Sequence, residues 1–272
     1  MRVDDRLLGL VLIGAAASLW AMPFAWMAVA SLRPGVPADI ASLAPAGPFG
    51  VGNFVEAWRS GDFPLWYLNT LTVCGGILIV QLITITAAGY AFARLSFPGK
   101  GVMFSLFLLQ LLLVPALLIV PNLQTLVSLH LYDRLPGIMA PYFASAFGVF
   151  LMRQTFRAIP RDYEEAAMLD GASIVVLIRH VLVPLARPGL AAFAIVSVTA
   201  HWNEFLWPLM AVSSPSRQVL TVGLASFASG AEAGSAWGVV AAGTFLVAGP
   251  LLILFLLFQR RFVASFIFSG IK

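Results

Sequence analysis

IPRDYEEAAMLDGASIVVLIRHVLVPLAR, residues 159–187, is the longest charged interruption in an otherwise hydrophobic chain. Four acids sit in it: Asp162, Glu164, Glu165 and Asp170. Arg161, Arg179 and Arg187 lie within it, and Arg153 and Arg157 lie just before it. Charge at this density is too costly for hydrocarbon, so the stretch sits outside a bilayer.

Its local structure follows from residue type. Pro160 stops any preceding helix. Asp162 is placed to cap a new one, with Glu165 at the capping-box spacing. Tyr163 to Leu169 are mostly good helix formers. Gly171 suits the left-handed position that ends a helix. A second, apolar helix starts near Ile174, and Pro184 interrupts it. The expectation is a short helix, a turn and a second helix at a membrane surface. One face of the short helix should be small and apolar and the other acidic, a shape suited to a groove on a soluble partner.

The rest of the chain explains where that surface comes from. Of 272 residues, 60% are hydrophobic and 10% charged, with a mean hydropathy of +0.94. A soluble domain is about half apolar and roughly a quarter charged. The composition is that of an integral all-α membrane protein. Runs without Asp, Glu, Lys or Arg cover 7–32, 63–93, 101–132, 135–152, 188–216 (broken by Glu204) and 233–259. A spanning helix needs about 20 such residues. Six transmembrane helices are therefore expected in one domain over 1–272, near 7–31, 66–93, 102–127, 137–157, 188–211 and 237–259. The first run is read as a retained helix: MRVDDR is a poor signal n-region, and the apolar run exceeds an h-region. Membrane lipid is thus one implied partner; nothing in the composition points to nucleic acid.

Lysine and arginine set the orientation. With the N-terminus in the cytoplasm, 12 of the 16 basic residues fall on the inner side. Both termini and the 159–187 loop, between spans four and five, are then cytoplasmic. The 33–65 segment is rich in proline and glycine and is read as an outer loop with a short helix at 52–60. Gly75, Gly76, Ala87, Ala88 and Gly89 would let span two approach its neighbours closely. Pro115 and Pro121 predict kinks in span three. Trp20, Trp26, Trp66 and Trp207 are read as interfacial belts. Gln81, Gln110, Asn122 and Gln124 are read as helix–helix hydrogen-bonding groups.

Glu204 is the one acid inside an expected span, and His201 lies three residues before it on the same helical face. Buried ionisable groups in membranes face a bundle interior or water. One reading makes them, with Trp202 and Asn203, the polar lining of a solute path. The other makes them a structural pair anchoring a helix end. No third group completes a metal site. The single cysteine, Cys74, excludes an internal disulfide framework. No phosphate-binding loop, nucleophile elbow or zinc motif occurs, so no cofactor is expected and any ATP hydrolysis must come from another polypeptide. No internal repeat is visible, which argues against an inverted-repeat secondary transporter.

Glu165-Ala166-Ala167, three residues, Gly171, nine residues and then Val181-Leu182-Val183-Pro184 resembles the EAA loop of bacterial ABC importer permeases. Val181 and Val183 depart from the usual Ile and Leu, but keep apolar character. The resemblance covers nearly the whole chain and is nearest to MalG-like permeases of carbohydrate importers. It runs through NTLTV, GYAFARLSFPGK, PYFASAFGVFLMRQTF, WNEFLWPL, VGLASF and QRRFV. It implies a coupling helix in which Glu164, Glu165, Ala166, Ala167, Asp170, Gly171 and Pro184 meet an ATPase. It also implies a second permease subunit, two ATPase subunits, a periplasmic solute-binding protein and alternating access. Sugars, oligosaccharides and glycerol phosphates are the solutes it suggests.

Overall fold

The computed structural model describes residues 3–34, 48–230 and 237–270, with side chains over 9–34, 48–230 and 237–257. Among these residues all regular structure is helical. Three helices are long and apolar enough to span a membrane: α1 (Val3–Ser31), α3 (Phe63–Arg94) and α14 (Trp237–Gly270). Three more spans arise if each of three bent helix pairs crosses as one.

Two of the three bends have a local cause in a named side chain. α4 (Lys100–Gln110) and the following 3-10 turn and α5 (Ile119–Ser128) are bent by 101°. The break precedes Pro115, which holds Val114 extended (φ −71°, ψ 120°). Pro115 thus does more than kink the third run. The pair formed by α6 (Leu135–Met139), its 3-10 extension and α7 (Ala146–Ala158) bends by 48°. There Ser145 leaves helical geometry and its hydroxyl accepts the Gly148 amide at 3.1 Å. The third bend, 78°, falls at Ala186 between α10 (Val183–Leu185) and α11 (Arg187–Trp202). α12 (Leu206–Ala211) follows after a break at Asn203–Phe205, so residues 188–211 form two helices.

The chain folds as two compact units. One contains the residues up to Phe63 and Gly223–Leu252. In it, α2 (Gly52–Ser60), at the position read from the sequence, buries Asn53 and Ala57. Asn53 donates to the Ala30 carbonyl at 3.0 Å, and Phe63 packs its ring on Trp58 and Phe227.

The other unit contains Pro64–Val222 and the residues from Ile253. One core gathers Ile85, Phe92, Val149, Met152, Phe156, Leu177, Leu182 and Phe193. A second gathers Val73, Ile77, Leu126, Ile138, Trp207 and Val219. Small residues allow the first to close. A Cβ on Gly89 would lie 2.6 Å from that of Met152, and one on Gly148 would meet Ile85 and Phe193 at 2.6 Å. Gly75, by contrast, faces open space, and Ala87 is exposed. Trp66 and Trp207 are buried rather than exposed belts; Trp207 donates its indole N–H to the Ile138 carbonyl at 3.0 Å. Gln81 serves as a helix–helix hydrogen-bonding group, as read from the sequence.

Beyond the second core, two loops are stitched together. Asp133, at φ 57°, accepts the amides of Ser213 and Ser214 at 2.9 Å each and the Ser214 hydroxyl. Asn69 donates to the Ser216 and Gln218 carbonyls at 3.0 and 2.9 Å. The Ser214 hydroxyl, then the Ser214 and Ser213 amides, hold the Asp133 carboxyl below the usual carboxylate range. A depressed folded-state pKa means that the tether is fully formed above the ordinary carboxylate pKa. It is lost as pH falls through the depressed one. We expect hydrogen exchange at Ser213 and Ser214, corrected for intrinsic rate, to stay protected near neutrality and to lose protection in acid. Asp133→Ala should lose it at every pH; equal protection in that variant would show that the carboxylate does not hold the loop.

Candidate functional site

α8 (Asp162–Leu169) starts without a side-chain cap. The Glu164 and Glu165 amides both bond the Arg161 carbonyl, at 2.8 and 3.0 Å. This tight first turn leaves Asp162 no amide to accept, so the expected capping box is not formed. The acids of the first turn still complement the helix dipole. The other end matches the reading from sequence. Gly171 sits at φ 83°, Ala172 N–H bonds Ala167 O at 3.0 Å and Gly171 N–H bonds Met168 O at 3.0 Å. These two bonds define a Schellman close. Ser173 then accepts the Val176 amide at 3.4 Å and opens α9 (Ile174–Leu177). A π-turn over Ile178–Leu182 runs into α10 and Pro184.

α9 and the π-turn root the loop. Leu177 and Leu182 are fully buried among Phe156, Met152 and Phe193. The face expected to be acidic is divided. Glu164 turns inward and meets Arg94 at the end of α3, with Oε1 to Nε 2.5 Å and both side chains 8% exposed. Arg94 also donates to the Ile159 carbonyl at 2.6 Å. The paired Nε and Oε1 have no hydrogen-bond partner elsewhere, so each depends on the other. Removing one member of such a pair leaves a buried charge, at about 3–5 kcal/mol.

Glu165, Ala166, Asp170 and Gly171 remain exposed, while Ala167 and Pro184 are half-buried. Beside them stand apolar side chains that the sequence reading did not single out: Leu169, 89% exposed, and Val175, 73% exposed, with Tyr163, Met168 and Ile174. Their signal was available, since they are apolar residues in and beside the charged stretch that the sequence reading places outside the bilayer.

Of the four path candidates, His201 and Glu204 share one cavity, and Trp202 and Asn203 turn elsewhere. Trp202 is buried with its ring 6.3 Å from Tyr67. Asn203 is exposed and donates to the Thr199 carbonyl at 2.8 Å. The cavity is also lined by Thr70, Cys74, Tyr142 and Pro208, and at about 10 Å³ it has room for roughly one water.

A polar chain reaches it at Tyr142, His201 and Glu204. Ser197 donates to Gln81 Oε1 at 2.6 Å, and Gln81 Nε2 donates to the Tyr142 carbonyl at 2.7 Å. The His201 ring lies 4.5 Å from that of Tyr142, and the Tyr142 hydroxyl bonds the Glu204 carboxylate. Glu204 Oε1 accepts the Trp207 amide at 3.4 Å, capping α12, and its carbonyl accepts Thr221 Oγ1 at 2.6 Å. The network has hydrogen-bonding but no nucleophile–base pair. Among the described residues no group of three His, Cys, Asp or Glu could hold a metal.

Bent apolar spans, a polar seam within one unit and a surface loop rooted in its core are the parts of a membrane transport subunit. The chain belongs to the family described as the binding-protein-dependent transport system inner membrane component, whose pattern matches residues 81–267. It is an inner-membrane permease subunit, not itself a catalyst. It is 33% identical over 215 residues to the diacetylchitobiose uptake system permease protein NgcG of Streptomyces coelicolor, covering 78% of this chain and 71% of that one. It is 30% identical over 253 residues to the trehalose transport system permease protein SugB of Mycobacterium tuberculosis, covering 92% of each. It is 31% identical to the sn-glycerol-3-phosphate transport system permease protein UgpE of Yersinia pestis, covering 81% of this chain and 76% of that one. In fold it is similar to the crystal structure of a bacterial ABC transporter that imports alginate. The TM-score is 0.80 at 22% identity, over 96% of this chain and 98% of that one.

Glu204 holds two groups at once, which separates its possible roles by substitution. Glu204→Ala strips the partner from the Tyr142 hydroxyl and the Trp207 amide, at a cost of about 1–3 kcal/mol. Glu204→Gln keeps an acceptor for both. We expect thermal unfolding in detergent to fall clearly for Glu204→Ala and little for Glu204→Gln. Equal losses would mean that the negative charge itself is what the fold requires.

Proposed function

We propose that this permease imports a carbohydrate-type solute, a sugar, oligosaccharide or glycerol phosphate, by alternating access driven by separate ATPase subunits. The solute class is supported by the names of its relatives, which are permeases for diacetylchitobiose, trehalose and sn-glycerol 3-phosphate. The assembly proposed is a heterodimer with a second permease subunit, two ATPase subunits and a periplasmic solute-binding protein. The chain acts in it as one permease domain over 1–272, with both termini in the cytoplasm.

The observation that carries the coupling role is the division of labour in α8. Its outer side offers Glu165, Ala166, Asp170 and Gly171 beside exposed Leu169 and Val175, while its base is fixed by Leu177 and Leu182. An apolar surface with a carboxylate at its rim suits a groove lined by apolar and basic groups, and a rooted base lets force on that surface reach the spans. The Ala167 carbonyl closes the turn that presents it, and Pro184 stands further along in α10. In this reading His201 and Glu204, flanked by Trp202 and Asn203, line the solute path. The water-sized cavity between them is then the path in its closed state.

Glu165→Lys replaces attraction with repulsion, and losing one side of a desolvated pair costs roughly 2–5 kcal/mol. Gly171→Val strains a left-handed residue by about 1–3 kcal/mol. Both variants should insert in the membrane yet lose ATPase co-purification. They should also lose vesicle uptake of radiolabelled trehalose, diacetylchitobiose or sn-glycerol 3-phosphate, whichever the parent transports. Wild-type co-purification and hydrolysis in Glu165→Lys would remove the loop as the coupling element.

The orientation is tested separately. Single cysteines at Ser173 and Ser214, in a Cys74→Ala background, should be labelled by an impermeant maleimide from opposite sides. Labelling of both from outside would reverse the loop assignment.

A further inference from the structure

Buried ion pairs are weak stabilisers, and apolar replacements of similar volume are often neutral or better, so a pair kept at 8% exposure invites another explanation. Position supplies one. In the unit formed by Pro64–Val222 and the residues from Ile253, α3 is the unbroken span. The pairs containing α4, α7 and α11 are bent by 101°, 48° and 78°. α3 has 32 residues, so it runs about 48 Å. Arg94 at its end grips Glu164 and Ile159. Gln81, roughly 20 Å along, holds Tyr142 and Ser197 at the polar cavity. Near the far end, Asn69 and Thr70 hold Ser216, Gln218 and Leu220.

We infer that the Arg94–Glu164 pair is the joint through which movement of α8 reaches α3, and through α3 both the cavity and the 213–220 loop. The inference rests on the importer reading above. Glu164 is then an inward positioning residue, and the outward Glu165 is the docking one. An apolar contact resists compression but slides under shear or pull. A 2.5 Å ion pair, backed by the Arg94–Ile159 bond, resists both. Leu177 and Leu182 supply only the first kind of contact.

The test uses the assembled complex in vesicles, with ADP and vanadate as the probe, so no solute need be identified. Spin labels at Leu68 and Ser128, both exposed, report the far end of α3 against α5 in a Cys74→Ala background. Trapping should shift the distance distribution by pulsed electron resonance in the parent. Glu164→Gln and the apolar pair Arg94→Met/Glu164→Leu should keep the ATPase subunits bound and yet lose the shift by about fivefold or more. The apolar pair keeps the core filled, so it carries the test if Glu164→Gln fails to assemble. A parental shift in the apolar pair overturns the inference, as does the absence of any shift in the parent. Loss of ATPase co-purification in the apolar pair overturns it too, by making Glu164 a docking residue. Retained ATPase in Glu165→Lys would instead defeat the coupling role of the loop, the part of the importer reading on which the inference rests.

Discussion

The structure depends on how a hydrophobic chain disposes of the charge it must keep. Water is absent from the bilayer interior, so every polar group there needs a protein partner. The chain meets this constraint by concentrating charge in one loop and then burying one carboxylate of that loop against Arg94. That pairing fixes the start of α8 relative to the end of α3. It also commits Arg94, a residue whose other bond is to the Ile159 carbonyl at the mouth of the same loop. The loop is thereby attached to the spans by charge at its beginning and by Leu177 and Leu182 at its end.

The bends answer to the same constraint. A helix that breaks in a membrane frees backbone groups, and they must be met nearby. At Ser145 the side chain meets the Gly148 amide, and at Glu204 the carboxylate meets the Trp207 amide. The Asn203 amide group turns back onto the Thr199 carbonyl at the end of α11. Polar residues in these spans therefore serve the backbone first. Others join segments: Gln81, like Asn69 and Thr70 on the same helix, spends its side chain on neighbouring segments and so couples α3 to them.

How far the sequence could be read follows from which signals are local. The short helix, turn and second helix within 159–187, the helix at 52–60 and the left-handed Gly171 rest on composition and near neighbours, and all three were legible. The inward turn of Glu164 was not, because Glu164 and Glu165 are adjacent acids and the partner that separates them stands 70 positions away in Arg94. Trp66 and Trp207 were read as belts from a rule about lipid interfaces. Trp207 escapes it because the Ile138 carbonyl satisfies its indole at a distance the sequence does not encode. Asp162 failed as a cap for a subtler reason: the Arg161 carbonyl took the amides first. Of the path candidates, the i, i+3 spacing of His201 and Glu204 was sufficient to put both on one cavity, but Tyr142, which joins them, lies in another helix pair.

That junction bears on what the cavity can select. A space of about 10 Å³ cannot hold a sugar, so no contact made there now is a solute contact. The groups lining it are nevertheless those a hydroxylated solute would need: a carboxylate, a phenol, an imidazole and a hydroxyl, from Glu204, Tyr142, His201 and Thr70. At present Tyr142 and Glu204 satisfy each other. If this seam is the path, opening it must exchange that internal bond for bonds to the solute or to water, so the transition gives up little hydrogen bonding in either direction. A path sealed by apolar side chains would lack this compensation, since wetting their surface is unfavourable in proportion to the area exposed. Placing the polar groups at the seam therefore keeps the two states close in free energy, which alternating access requires.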